Sequence, residues 1–210
     1  MMEFFEQGGI MMYPLLLSSI IALIYIIERG LALRRRNILV PEIISVVDNL
    51  KSERDLELAS SICSKYEGPL SNLVSVTLEN AQLPREELRE VLQDQGRQDI
   101  RDLQKGLNIL ETIAAIAPLM GLLGTVLGMV NVFAVIQDQG VGQTSALSGG
   151  ISQALLTTVT GLFIGIPVLV AYNYFSSKSE DLILDIEKYA NNLILKIDRI
   201  RKTESSSTEE

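Results

Sequence analysis

A small set of polar side chains sits inside otherwise apolar stretches of this 210-residue chain: Thr125, Asn131, Gln153, Thr157, Thr158 and Thr160. Gln153, Thr157 and Thr160 recur at i, i+4 and i+7, so a helix would carry them on one face, with Thr158 beside it. These groups offer hydroxyl and amide oxygens. They can coordinate an ion or bond a neighbouring helix, but none titrates near neutral pH. A threonine hydroxyl can also bond back to its own helix and do nothing else. A glutamine is harder to silence, because lipid satisfies none of its hydrogen-bonding sites. The nearest carboxylates, Glu111 and Asp138, flank the stretch that holds Thr125. If ions or protons move along these residues, the titrating group has to come from another subunit.

Composition removes most other chemistry. There is no histidine, so no Ser-His-Asp or Cys-His system, no His-ligated zinc and no imidazole proton shuttle. One cysteine, Cys63, excludes an internal disulfide and any cysteine cluster. A net charge of -8 argues against a nucleic-acid binder. No loop carries a nucleophile, metal or nucleotide pattern; Gly140-Val-Gly142 is too short and misplaced for a phosphate loop. We expect no enzyme, no cofactor and no metal.

The elements that position the polar residues follow from where charge is missing. Gln7–Ile27, Thr112–Gln137 and Gln139–Ser177 contain no Asp, Glu, Lys or Arg. The third opens with a Gly/Ser/Gln-rich part, which leaves Ile151–Phe175 as its apolar helix. A bilayer crossing needs about 20 apolar residues. The reading is an all-α membrane protein with three transmembrane helices at 10–33, 107–136 and 151–175. The first has acids and no base before it, unlike a signal peptide, and is expected to be retained. Arg29, Arg34, Arg35 and Arg36 follow it directly, and Lys178, Arg199, Arg201 and Lys202 follow the third, whereas the connection 137–150 has no base. The positive-inside rule therefore puts 1–9 and 137–150 in the periplasm and 34–106 and the C-terminal part in the cytoplasm.

The cytoplasmic part reads as helices between breakers. Pro41 opens one; a second covers about 53–66 and stops at Gly68-Pro69; a third covers about 70–82. After Pro84, apolar residues recur every three or four positions from Leu88 to Leu110, an amphipathic face expected to run without a turn into the second membrane helix. Leu182, Ile186, Leu193 and Ile197 continue the third helix in the same way to about 202. Helices 2 and 3 thus extend far into the cytoplasm as a helical bundle, which either has a role or only adds stability. The tail 203–210 lacks apolar anchors and is expected to be disordered.

Small residues mark the membrane helices. Gly121, Gly124 and Gly128 form an edge on the second, and Gly161 and Gly165 form a GxxxG on the third. Such residues let helix backbones approach closely. Pro118 and Pro167 each remove a helical hydrogen bond and invite a kink.

The segments ETIAAIAPLMGLLGTVLGMVNVF and GGISQALLTTVTGLFIGIPVLVAYNYF resemble the two signature helices of the MotA/TolQ/ExbB proton channel family, nearest to its ExbB/TolQ branch. The shared patterns run from Ala117 to Met129, Gly150 to Leu162 and Ile166 to Asn173. The resemblance implies a channel subunit of an ion-driven motor in the inner membrane of Gram-negative bacteria. It implies a homo-pentamer around two single-helix ExbD/TolR-like partners that supply the titrating aspartate, with TonB or TolA as client. It places Thr125 and Thr158 at the pore, near the partner aspartate. Gln153 stands where many relatives have Glu, which removes a titratable group. Either that glutamate is dispensable or the coupling ion differs; protons are the default, although Thr157, Thr158 and Thr160 would also suit sodium. A non-conducting scaffold, with packed glycines and silent threonines, is the competing reading.

Overall fold

The computed structural model describes residues 8–50, 53–139 and 144–207. They are helical, with no strand among them. In chain order the helices are α1 Met12–Ala32, α2 Arg35–Ile38, α3 Pro41–Asn49, α4 Glu53–Cys63, α5 Pro69–Glu79, α6 Arg85–Gln104, α7 Leu107–Gln139 and α8 Thr144–Ser207. Pro41 and Pro69 open their helices at the first turn, where no amide donor is needed. Glu86 and Glu87 lie in the first turn of α6, where the helix dipole favours acids. Among the described residues, three helices are long and apolar enough to cross a membrane: α1, α7 and α8.

Contacts divide the chain into two compact units. One contains the described residues up to Gly30 together with Gly106–Phe175; the other contains Leu31–Lys105 and the chain from Ser176 onward. The first unit turns much of its apolar surface outward. Leu17, Leu23, Leu119, Leu122, Phe133, Phe163 and Val170 are all exposed. In water this would be a severe liability; in lipid it is the required surface. Its interior mixes small residues with large ones such as Met12, Ile113, Val132, Val168 and Phe175. Ala22, Ala114, Ala117 and Ala154 are buried beside Leu15 and Leu110.

The second unit is built like a soluble domain. Ile43, Val47, Leu70, Val74, Leu88, Leu193 and Ile197 form its core. Cations of α8 tie the short helices to it. Lys196 Nζ donates to the carbonyls of Val47 (2.8 Å) and Asp48 (2.5 Å), which satisfies acceptors at the end of α3. Arg201 Nη1 donates to Leu83 O at 2.6 Å, and its other terminal nitrogen to Ala81 O. Arg35 pairs with Asp185 at 2.7 Å.

One expectation fails here. The face from Leu88 to Leu110 does not run on one helix: α6 ends at Gln104 and α7 starts at Leu107. Gly106 between them has φ +81°, a left-handed conformation that glycine adopts without steric cost. A Cβ there would also lie 3.0 Å from the Tyr25 ring. The apolar period crosses this break because both flanking helices bury one face. The third long helix, by contrast, is continuous. It begins at Thr144 rather than 151 and continues to Ser207, past the expected start of a disordered tail at 203. Residues 1–7, 140–143 and 208–210, on which parts of the expected periplasmic segments and tail fall, lie outside the described residues. The short helix α2 has no counterpart in the sequence reading.

Candidate functional site

In the first unit, α7 and α8 meet along their small residues. The positions a Cβ would occupy measure the closeness. At Gly161 it would lie 2.5 Å from the Ala117 carbonyl oxygen and 3.0 Å from the Gly121 Cα. At Gly121 it would lie 2.8 Å from the Thr157 carbonyl oxygen. At Gly128 it would meet Ala154 Cβ at 3.1 Å, and at Gly165 the Pro118 ring at 2.7 Å. Rising numbers on α7 pair with falling numbers on α8, so the helices are antiparallel. Backbone touches backbone, the packing that lipid does not otherwise supply. Ala114, Ala117 and Gly150 also belong to this seam, beyond the glycine edge and the GxxxG pair that the sequence marks. The signal was available, because Ala114, Ala117, Gly121, Gly124 and Gly128 keep one spacing of three or four residues.

The threonines divide by their partners. Thr157 is 1% exposed and packs against Gly124, where a Cβ would sit 2.5 Å from its hydroxyl oxygen. Its Oγ1 donates to Ala154 O at 2.9 Å and lies 3.3 Å from Gln153 O. Thr158 Oγ1 donates to Gly121 O at 3.2 Å, a bond that crosses between the helices. Thr125 and Thr160 are half-buried and bond back to Leu122 O (2.6 Å) and Leu156 O (2.8 Å). Asn131 is exposed. Gln153 is half-buried, and its side-chain amide fills the space where Gly9 would carry a Cβ; Gly9 has φ +70°. The stripe of Gln153, Thr157 and Thr160 therefore divides between neighbours: Gln153 meets the segment just before α1, Thr157 meets α7, and Thr160 bonds its own helix. Pro118 lies in the seam against Gly165, whereas Pro167 is exposed.

Arg29, read from the sequence only as one of the basic residues after the first membrane helix, is buried. The Arg29 side chain is 7% exposed, with Nη2 2.5 Å from Glu28 Oε1 and Nε lacking a hydrogen-bond partner. It lies beside Gly106, where a Cβ would be 3.6 Å from Nε. Among the described residues, no group of three or more Cys, Asp or Glu side chains is arranged to hold a metal ion.

Residues 65–188 match the MotA/TolQ/ExbB proton channel family, a span that contains the whole seam. The chain belongs to that family. Relatives include a putative biopolymer transport protein ExbB homolog of Methanothermobacter thermautotrophicus, 30% identical over 89% of this chain and 66% of the relative. A putative biopolymer transport protein ExbB-like 1 of Synechocystis is 29% identical over 84% of this chain and 71% of the relative. The biopolymer transport protein ExbB of Xanthomonas campestris is 37% identical over 43% of this chain. The chain spans about a third of that relative's length, 36%. Within the MotA/TolQ/ExbB family these names place the chain nearest to ExbB.

Proposed function

We propose that this chain is the channel-wall subunit of an inner-membrane motor driven by the proton motive force. It works with an ExbD/TolR-type single-helix partner that carries the titrating aspartate, in the arrangement of a pentamer around two partner helices. The motor energises a TonB-type outer-membrane transport system; a TolA-type client for envelope maintenance is the alternative. The carrying observation is the chemistry of the seam helices. Between Glu111 and Asp138, and again from Gln139 to Ser177, they hold hydroxyl and amide oxygens but no Asp, Glu, His, Lys or Arg. Such a wall has no carboxylate of its own to take up and release a proton, so a relay acid would come from a partner.

In this reading Thr125, Gln153, Thr158 and Thr160, all half-buried, face the pathway, and Thr157 supports the wall from within the seam. The N-terminus and residues 137–150 lie in the periplasm, and the basic residues Arg34, Arg35 and Arg36, all exposed, lie at the cytoplasmic face. A reporter at Gly142 that proved cytoplasmic would reverse that topology.

The test is reconstitution in liposomes with the single-helix partner. Flux that needs the partner aspartate is expected, in a proton gradient and not in a sodium gradient alone. The self-bonded hydroxyls of Thr125 and Thr160 favour the scaffold reading, which requires no flux with any partner. Thr125→Val and Thr158→Val separate the two: assembly without flux supports conduction along these residues.

A further inference from the structure

Within the second unit, a cavity of about 360 Å³ opens between α6 and the distal part of α8. Its walls include Leu73, Leu92, Leu103, Ile186 and Ile194, all nearly fully buried. Gly96 lines it as well, and a Cβ at Gly96 would meet nothing within 4 Å. Asp99 faces the same space, although the residue is 3% exposed. Gln95 Nε2 donates to Asp99 Oδ1 at 3.2 Å, whereas Oδ2 is buried and has no partner. The Asn72 amide is close enough to the carboxyl to favour its charged form, yet Oδ2 itself is left without a hydrogen-bond partner. Arg89, Arg97 and Glu187 stand exposed at the rim, and Arg97 faces Asp94 at 3.6 Å.

An apolar pocket with a single orphaned carboxylate oxygen is incomplete as it stands. A buried acceptor without a donor is costly, and a buried carboxylate without a cation more so. The volume lies at the lower end of small-molecule sites, about 300–1,000 Å³. We propose that this groove binds a small organic ammonium with an apolar body, its N–H donating to Asp99 Oδ2 and its body lying against Leu92, Leu103 and Ile186. Of the rim charges Glu187 attracts a cation while Arg89 and Arg97 oppose it, Arg97 being offset by Asp94 at 3.6 Å, so selectivity for the ammonium rests on Asp99. The site stands apart from the conduction reading and does not depend on it.

The test uses the full-length protein with a thiol placed in the groove. Gly96→Cys has room for its side chain, and the native Cys63 is 1% exposed, so the unmodified chain supplies the labelling background. Benzylammonium, at about four times its Kd, is expected to slow maleimide labelling of Gly96→Cys about fivefold, by simple occupancy. Benzyl alcohol is expected not to, and Asp99→Asn is expected to remove the protection. Absent protection, equal protection by the alcohol, or protection that survives Asp99→Asn overturns the proposal. So does a Gly96 thiol that is unreactive, or that cross-links two copies, because a second copy then covers the groove. Line broadening of benzylammonium by the unmodified protein, lost in Asp99→Asn, gives a readout that needs no engineered thiol; its absence is equally decisive against the site.

Discussion

The Thr158 hydroxyl donates to the Gly121 carbonyl oxygen at 3.2 Å, from one antiparallel helix to the next. The bond exists because the glycines of α7 let the backbones come close enough for a short side chain to bridge them. A larger residue at Gly121 would drive the Thr158 Cα, 3.1 Å from the Cβ position, away.

Thr158→Val should remove this bond while keeping the shape. Hydrogen bonds between membrane helices contribute about 0.6 kcal/mol on average and rarely above about 1.7 kcal/mol. A destabilisation in that range is expected in reversible detergent unfolding, with Thr158→Ser close to the parent. Equal stability of the Val and Ser variants would show that the bond carries no net weight.

Gly124→Ala places a methyl 2.6 Å from Thr157 Cβ, so it should separate the helices and lower both stability and assembly. Overpacking of this kind costs about 1–3 kcal/mol. Thr157→Gly in the same chain opens that space, so the double variant should recover much of the loss. A double-mutant cycle with no coupling energy would mean that the two residues do not meet.

Gly106→Ala combines a left-handed backbone with a Tyr25 ring 3.0 Å from the new methyl. The backbone part alone costs about 1–2 kcal/mol. Gly96→Ala, in a helix interior with open space, should instead stabilise by about 0.5–1 kcal/mol through helix propensity. Thermal unfolding of the two variants should therefore shift in opposite directions.

Burial raises the Asp99 carboxyl to about 6, against the downward pull of the Gln95 and Asn72 amides, and the Asp102 charge adds to the rise. The folded state thus holds this proton more tightly than the unfolded chain, where aspartate titrates near 3.9. Its contribution to stability is full below about pH 4 and is lost as pH rises to about 6. Arg89 and Arg97 from α6 and Glu187 from α8 are the other charged groups around the cavity. Asp99→Asn should remain as stable at pH 7 as at pH 5 relative to the parent's decline. Parallel stability curves for the two proteins between pH 4 and 7 would refute the assignment.

Much of this architecture was legible in the chain. Charge-free runs located the membrane helices, because lipid penalises every exposed charge. Pro41 marked a helix start through the missing amide, and Gly68-Pro69 marked the boundary between two helices. The unbroken apolar period after Phe175 foretold a single long helix. Periodicity could not find the break at Gly106, since two helices that bury one face in sequence show the same spacing as one. Glycine is also tolerated inside helices, and only the folded structure distinguishes this one, by its left-handed backbone and the Tyr25 ring in the space of its missing side chain.

Partners were a different matter. Sequence alone grouped Gln153, Thr157 and Thr160 on a face, because helical spacing is a local property. It could not say that Thr157 would press on Gly124, that Thr158 would reach the Gly121 carbonyl, or that Asp99 would be buried with one oxygen bare. Those outcomes depend on the register and closeness with which distant helices meet, and only the tertiary structure decides them. The sequence by itself determined that the membrane helices carry no relay acid of their own; the packing decided which hydroxyls are held inside the protein and which remain near its surface.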